Sequence, residues 1–362
     1  MNDYEKFMDI RELLTVTLTR NASDLHLVVA HVPTLRIHGQ LHSLITFPEL
    51  TCADVEQMIF ALINPAQKEL LLANKELDFS TVVTTSDGKE IRFRGNAYFQ
   101  RNTLSASFRL IPATVATIDE LNLPPILHEF AKLKQGFVLL TGASGQGKST
   151  TLASIIAEIN NTRSSHIITV EDPIEYVYTK AKSIISQREM YQDTHSWTSA
   201  LRNILREDPD VVYIGEMRDF ETISSALTIA ETGHLVFSTL HTNSAAQTID
   251  RIIDSFSASS QSQVRSQLSM VISAIVAQRL VPSMAVGRVP VCEVLLGNPS
   301  VKNTIREGKT HLIDNIIQTS KAEGMILFEE HLHQLVENNV VSHEVALEYA
   351  IRPERYLQLA QR

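Results

Sequence analysis

The run Gly142-Ala143-Ser144-Gly145-Gln146-Gly147-Lys148-Ser149 constrains this chain more than any other stretch. It satisfies the spacing G-x-x-x-x-G-K-[ST] of a phosphate-binding loop. Phe137-Val138-Leu139-Leu140-Thr141 before it reads as a buried strand, and Thr150 to Ile159 after it reads as a helix. Strand, glycine-rich turn and helix start are the context the motif requires. Glycines let backbone N–H groups close around phosphate oxygens, and the helix N-terminus adds positive partial charge. The Lys148 ammonium can neutralise β- and γ-phosphates, and the Ser149 hydroxyl can hold Mg²⁺. The bland alternative is a glycine-rich surface turn, and the flanking strand and helix argue against it. ATP or GTP with Mg²⁺ is therefore the expected ligand. The expected binding residues are Gly142, Ala143, Ser144, Gly145, Gln146, Gly147, Lys148, Ser149 and Thr150.

The remaining composition narrows the class. The 362 residues suffice for two domains, and a hydrophobic content of 44% with 20% charged residues supports a core without disulfides or metals. The formal net charge of −9 disfavours a broad nucleic-acid surface, which needs a basic excess. Cys52 and Cys292 form no C-x-x-C pair, which argues against structural zinc and fits a reducing cytosol. Met1-Asn2-Asp3-Tyr4-Glu5-Lys6 lacks the pattern of a signal peptide. The longest apolar stretch, Leu268 to Ala277, is interrupted by Ser269 and Ser273 and is too short to span a bilayer. A cytoplasmic chain without a membrane span is expected, held at a membrane only through a partner.

Periodicity gives the organisation. Residues 1–110 read as an α+β unit. Asp9 to Thr19 has helical spacing, Asp24 to Val29 alternates like a strand, and Leu35 to Leu41 turns near Gly39. Cys52 to Ala73 is helical in pattern, and 90–99 and 105–111 read as strands. Pro112 and the Leu123-Pro124-Pro125 segment break the pattern. The expected boundaries are a first domain over 1–112, a linker over 113–125 and a second domain over 126–362. The second domain alternates helices with short apolar runs at Phe137–Thr141, His166–Val170, Val211–Ile214 and Leu235–Thr239. Such runs are typical of parallel strands covered on both faces. Each is followed at once by polar or glycine-rich residues, and in open α/β sheets ligands sit at the carboxyl ends of the strands. Beyond residue 260 the chain reads as all-helical, with Val264, Leu268, Val271, Ile272, Ile275 and Val276 on one apolar face.

Several side chains could carry chemistry on that sheet edge. Glu171, in Glu171-Asp172-Pro173-Ile174-Glu175, could order the attacking water; its plainer role is a helix or turn cap. Asp210 to Glu216 resembles a Walker B strand, with Gly215 where an Asp usually ends it. Glu216 becomes the first choice for polarising water. His241 follows the strand Leu235–Thr239 and could bond the γ-phosphate, whereas His234 lies at the strand's other end. Arg92, Arg94, Arg101 and Arg109 crowd the end of the first domain. They are either solvated charges or phosphate clamps of the arginine-finger kind, and spacing leaves both open.

Together these stretches resemble the type IV pilus retraction ATPase family, within the secretion-ATPase superfamily. The resemblance rests on Ala22-Ser23-Asp24-Leu25-His26-Leu27, the Thr141–Ala153 loop and Thr169 through Tyr176. It rests also on Arg206 through Asp219 and on Glu231 through Thr242. It implies an α/β fold, with a RecA-like P-loop ATPase domain and helical C-terminal part preceded by a PAS-like α+β N-terminal domain. It also implies a homohexameric ring and ATP hydrolysis with Mg²⁺. Implied catalytic residues are Glu216, Glu171, Lys148, His241, Arg94 and Arg109, with the two arginines reaching the nucleotide. His234 joins the nucleotide-binding set by the same resemblance.

Two departures stand out. Ala143-Ser144 and Gln146 replace the family's usual Pro-Thr and Ser at positions that act mainly through backbone. In Ser300-Val301-Lys302-Asn303-Thr304-Ile305-Arg306-Glu307, only Asn303, Ile305, Arg306 and Glu307 match the usual retraction signature. The expected function is a hexameric motor that hydrolyses ATP for pilus retraction and twitching motility. It would work with an inner-membrane pilus platform protein and without nucleic acid. An accessory retraction motor and a slowly turning nucleotide-gated scaffold are the alternatives; extension motors typically carry a longer N-terminal region and a four-cysteine zinc module. A DNA-translocating ATPase is disfavoured by the acidic balance.

Overall fold

Burial alternates along the early strands and is continuous along the later ones, and this difference sets the architecture. The computed structural model describes residues 9–37, 39–84, 88, 90–111, 114–285 and 287–361. The readings placed on Met1 to Lys6, His38 and Pro112 lie outside the described residues. The chain divides into two compact units. One comprises Met1–Thr114 with Pro173–Val177; the other comprises Val115–Asp172 with Tyr178–Arg362.

The first unit runs α1 (Ile10–Thr19), β1 (Asp24–Leu27), β2 (Thr34–Ile37), β3 (Gln40–Ser43), α2 (Cys52–Phe60), α3 (Pro65–Asn74), β4 (Glu76–Thr84), β5 (Glu90–Gln100) and β6 (Thr103–Leu110). Its antiparallel sheet has the order β3-β2-β1-β6-β5-β4. Along β5, Ile91, Phe93 and Ala97 are buried, while Arg92, Arg94 and Asn96 take the opposite face and stay half-buried. The buried face packs with Leu13 and Leu14 of α1 and Val55 and Ile59 of α2. Each such aliphatic side chain contributes roughly 2 kcal/mol by leaving water. The helical stretch over Cys52–Ala73 is divided into two helices. Asn64 caps α3 through a reciprocal box with Gln67, and Pro65, which lacks an N–H, suits the first turn. Gly39, at φ +83°, turns β2 into β3.

The second unit runs α4 (Leu127–Lys132), β7 (Gly136–Thr141), α5 (Lys148–Thr162), β8 (His166–Glu171), β9 (Ile184–Glu189), α6 (Trp197–Ile204), β10 (Val211–Ile214), α7 (Phe220–Glu231), β11 (Leu235–Leu240), α8 (Ala245–Asp254) and α9 (Gln261–Val271). It continues with β12 (Ile272–Pro282), β13 (Arg288–Leu296), α10 (Pro299–Arg306), α11 (Ile313–Thr319), α12 (Phe328–Glu337), α13 (His343–Tyr349) and α14 (Pro353–Ala360). The mixed sheet has the order β13-β12-β7-β11-β10-β8-β9, parallel except for β13. Alternate residues of β7 serve two cores. Phe137 and Leu139 pack in the core that holds α7 and α8 residues, and Val138 and Leu140 in the core that holds α4 and α5 residues. Burial on both faces explains why these strands read as unbroken apolar runs. Ile118 and Leu123, in the stretch expected to be linker, are buried in the second unit's core.

The all-helical reading beyond residue 260 is corrected. The supposed single face splits, with Val264, Leu268 and Val271 on α9 and Ile272, Ile275 and Val276 on β12. A fully buried strand has no alternation to reveal it, so its apolar residues continue a helical spacing by coincidence. The β-branched content of 271–276 favours the strand, and pairing with both β7 and β13 decides it. The fold is thus α/β with one antiparallel and one mixed sheet. Among the described residues, no helix is long and apolar enough to cross a membrane.

Candidate functional site

Parallel registers bring four strand ends to one edge of the mixed sheet. Leu240 lies opposite Thr141, and Ile214 lies opposite both Ser238 and Val170. The loop after β7, Glu171 at the end of β8, Gly215-Glu216 after β10 and His241 after β11 therefore start side by side.

Gly142, Gly145 and Gly147 have φ of +144°, +76° and +80°, values that side chains resist. Gly147 is the N-cap of α5 and supplies no side-chain cap, whereas α6, α7 and α8 are capped by Ser196, Asp219 and Ser244. Gly147 has no side chain to compete for the start of α5, and the helix dipole favours an anion there. Lys148 is buried, its Nζ donating to the carbonyls of Gly142 (2.6 Å) and Ala143 (3.0 Å). Ala143, Ser144 and Gly145 are exposed, while Gln146, Ser149 and Thr150 are half-buried. Glycine conformations, a buried ammonium and an uncapped helix start together fit a phosphate chain.

Beside the loop, Nε2 of His241 lies 2.9 Å from Oε1 of Glu216. Arg218 Nη2 donates to the other oxygen, Oε2, at 3.0 Å. The Glu216 carboxylate is thus oriented from two sides, which suits a group that must aim at a water. Gly215 now has a physical reason. A Cβ there would stand 3.3 Å from Glu171 Cα and Val170 O, so β8 and β10 close tightly at this point. The hydroxyls of Ser238 and Thr239 donate to the carbonyls of Ile214 and Gly215, pinning the same turn from β11. Glu171 is 4% exposed, and its Oε1 accepts from Thr169 Oγ1 (2.6 Å) and Gln187 Nε2 (3.3 Å). Glu171 is more deeply buried than Glu216, which is half-buried.

His234 lies apart from the chain's own loop. It precedes β11, and Gly136 N–H donates to its carbonyl, so it sits at the edge opposite the loop. Its Nδ1 lies 3.1 Å from Ile229 O and 3.0 Å from Thr232 Oγ1, where it closes the end of α7. The chain's own nucleotide loop is out of its reach.

The arginines lie in the first unit. Arg109 Nε donates to Asp24 Oδ1 at 3.0 Å, and Arg94 approaches Glu175 (3.7 Å) and Asp78 (3.8 Å). Two residues of the loop's surroundings were given no role from sequence. Arg218 stood next to the Walker-like acid without an assigned task. Gln278 was hidden by the helical reading of its strand; its signal was the β-branched run around it.

These features define a nucleotide-binding α/β protein of the phosphate-loop class. The chain belongs to the type II/IV secretion system protein family, whose sequence model matches residues 4–347. It is 42% identical to the type IV pilus retraction ATPase PilT of Pseudomonas aeruginosa over 96% of this chain and 100% of that one. It is 38% identical to the type IV pilus ATPase PilU of the same organism, over 95% of this chain and 89% of that one. A crystal structure of the pilus retraction motor PilT with bound ADP is similar at a TM-score of 0.89 and 41% identity, covering 97% of this chain and 99% of the other.

Proposed function

We propose that this chain is a motor ATPase that hydrolyses ATP to drive type IV pilus retraction. The observation that carries the reading is the Glu216–His241 pair at 2.9 Å on the sheet edge that also presents the phosphate loop. The near-complete match to a retraction ATPase supports the same conclusion. Lys148 and the loop amides hold the phosphates. The Ser149 hydroxyl would hold Mg²⁺, which when bound supplies positive charge to the β- and γ-phosphate oxygens. Glu216, fixed by His241 and Arg218, orients the attacking water, with Glu171 assisting. Arg94 and Arg109 stabilise charge on the transferred phosphoryl group, within one subunit or from a neighbour.

The second unit is read as a RecA-like domain and the first as a PAS-like domain. Chains assemble as a homohexamer in the cytoplasm and act on an inner-membrane pilus platform protein. The deciding experiment deletes the gene and scores pili and twitching. Hyperpiliated, non-twitching cells are expected, restored by the wild-type gene and not by Lys148→Ala. Bald cells would overturn the reading in favour of extension. The departures at Ser300, Val301, Lys302 and Thr304 keep an accessory retraction motor as the second reading. It predicts that twitching persists in the deletion strain.

A further inference from the structure

Two glutamines fasten the phosphate loop to the neighbouring strand. We infer that Gln146 and Gln278 are positioning residues that hold the loop in its phosphate-binding shape before nucleotide arrives. The inference rests on the nucleotide-site reading above.

Strand β7 stops at Thr141, opposite Ala277, while β12 runs on to Pro282. On that side the backbone of β12 therefore outlasts its strand partner, and a buried N–H without an acceptor is costly. The phosphate loop fills the place. Gln146 Oε1 accepts the Leu280 N–H at 2.6 Å, standing in for the carbonyl of a missing strand residue. Gln278 answers from the opposite direction. Its side chain, 2% exposed, donates from Nε2 to the Gln146 carbonyl at 2.7 Å and accepts at Oε1 from Thr151 Oγ1 at 2.9 Å. One amide thus joins strand, loop and the first turn of α5.

The glycines show how close this approach is. A Cβ on Gly142 would stand 2.3 Å from Gln278 O, and one on Gly147 would stand 2.9 Å from Gln278 Nε2. Both ends of the loop therefore lie against the same residue. Ordering a loop costs conformational entropy at every residue, and a loop ordered in advance spares nucleotide binding much of that cost. A serine at 146 would end two bonds short of Leu280.

The test titrates a fluorescent ADP analogue into wild type, Gln278→Met, Gln146→Ser, the double variant and Lys148→Ala. ATP turnover and amide hydrogen exchange over 142–147 are measured alongside. Each glutamine variant should raise the ADP Kd and the ATP KM about tenfold, the loss of one or two hydrogen bonds, with a smaller fall in kcat. Loop exchange should quicken. The double variant should be little worse than Gln278→Met, because the two side chains secure one loop. Gln146 is half-buried, so its serine variant carries the test if Gln278→Met fails to fold. Wild-type affinity and exchange in Gln146→Ser, with binding lost in Lys148→Ala, would overturn this inference and leave the site standing. Wild-type binding in Lys148→Ala would overturn both.

Discussion

Arg94 and Arg109 stand directly opposite each other on β5 and β6, and separate carboxylates hold them apart. Asp24 takes Arg109, whereas Glu175 and Asp78 flank Arg94. Like charges facing across a strand pair repel, and these acids offset the repulsion. Asp24 is itself opposite Arg109 on β1, so the three share one face of the sheet.

The Arg109 side chain is 69% exposed despite its bond to Asp24, so it is open to solvent. On the proposed reading the loop and Lys148 hold the α- and β-phosphates, so Arg109→Ala should leave ADP affinity nearly unchanged. Affinity for a non-hydrolysable ATP analogue and the steady-state rate should each fall about tenfold, the worth of one charge-assisted contact. A variant matching wild type in all three would reduce Arg109 to a surface partner of Asp24.

Glu216→Gln keeps an oxygen to accept from His241 and leaves Lys148 and the loop intact. ATP binding should persist while turnover drops roughly a hundredfold, as expected when a group that orients water loses its charge. Single-turnover and equilibrium-binding measurements separate the two effects. Near-normal turnover would remove Glu216 from the chemistry.

Gly215→Asp restores the residue that usually ends such a strand, and the structure forecasts a penalty. Its Cβ must push against Glu171 Cα and Val170 O at 3.3 Å, both backbone atoms of a packed neighbouring strand. A loss of about 1–3 kcal/mol is expected, seen as a lower urea midpoint with an unchanged slope. An unaltered midpoint would show that β8 yields without cost.

The phosphate loop and the four strand ends were legible because glycine spacing and unbroken apolar runs are local signals. The break between α2 and α3 was also written locally, in Asn64, Pro65 and Gln67, yet the continuous apolar spacing on both sides masked it. Strand β12 was not legible. Ile272, Ile275 and Val276 are buried on both faces, so periodicity cannot tell helix from strand. Losing that strand concealed Gln278. His234 is a different case. Its place just before Leu235 puts it at the other end of β11, as the sequence alone indicates.

Glu293 offers a pH test. It lies on β13, 1% exposed, and its Oε1 accepts the Ala245 N–H at the start of α8. Burial pushes its carboxyl up to about 7, with Asp314 and Glu329 adding to the rise and the Ala245 bond and Arg352 opposing it. Its folded value exceeds its unfolded one, so its contribution is complete below about pH 4.5 and fades as pH climbs through 7. Glu293→Gln keeps the acceptor for Ala245 and cannot ionise. Relative to wild type, the variant should therefore gain stability between pH 5 and pH 8, approaching 3 kcal/mol. Denaturant unfolding at the two pH values measures it, and a constant difference would contradict a buried, titrating Glu293. His331, held down to about 4 by burial, weakens the fold in acid in both proteins and cancels from the comparison.

The β12–β13 hairpin has a bearing on how the protein is made. The phosphate motif leaves the ribosome long before the strand that secures it, since Gln146 and its acceptor bond to Leu280 are 134 residues apart. A nascent chain ending before Ile272 carries the whole motif but exposes the edge of β7 that β12 should cover. An uncovered apolar edge is an invitation to pair with another chain. Synthesis beyond Pro282 therefore supplies both the strand that covers that edge and the backbone that anchors the loop.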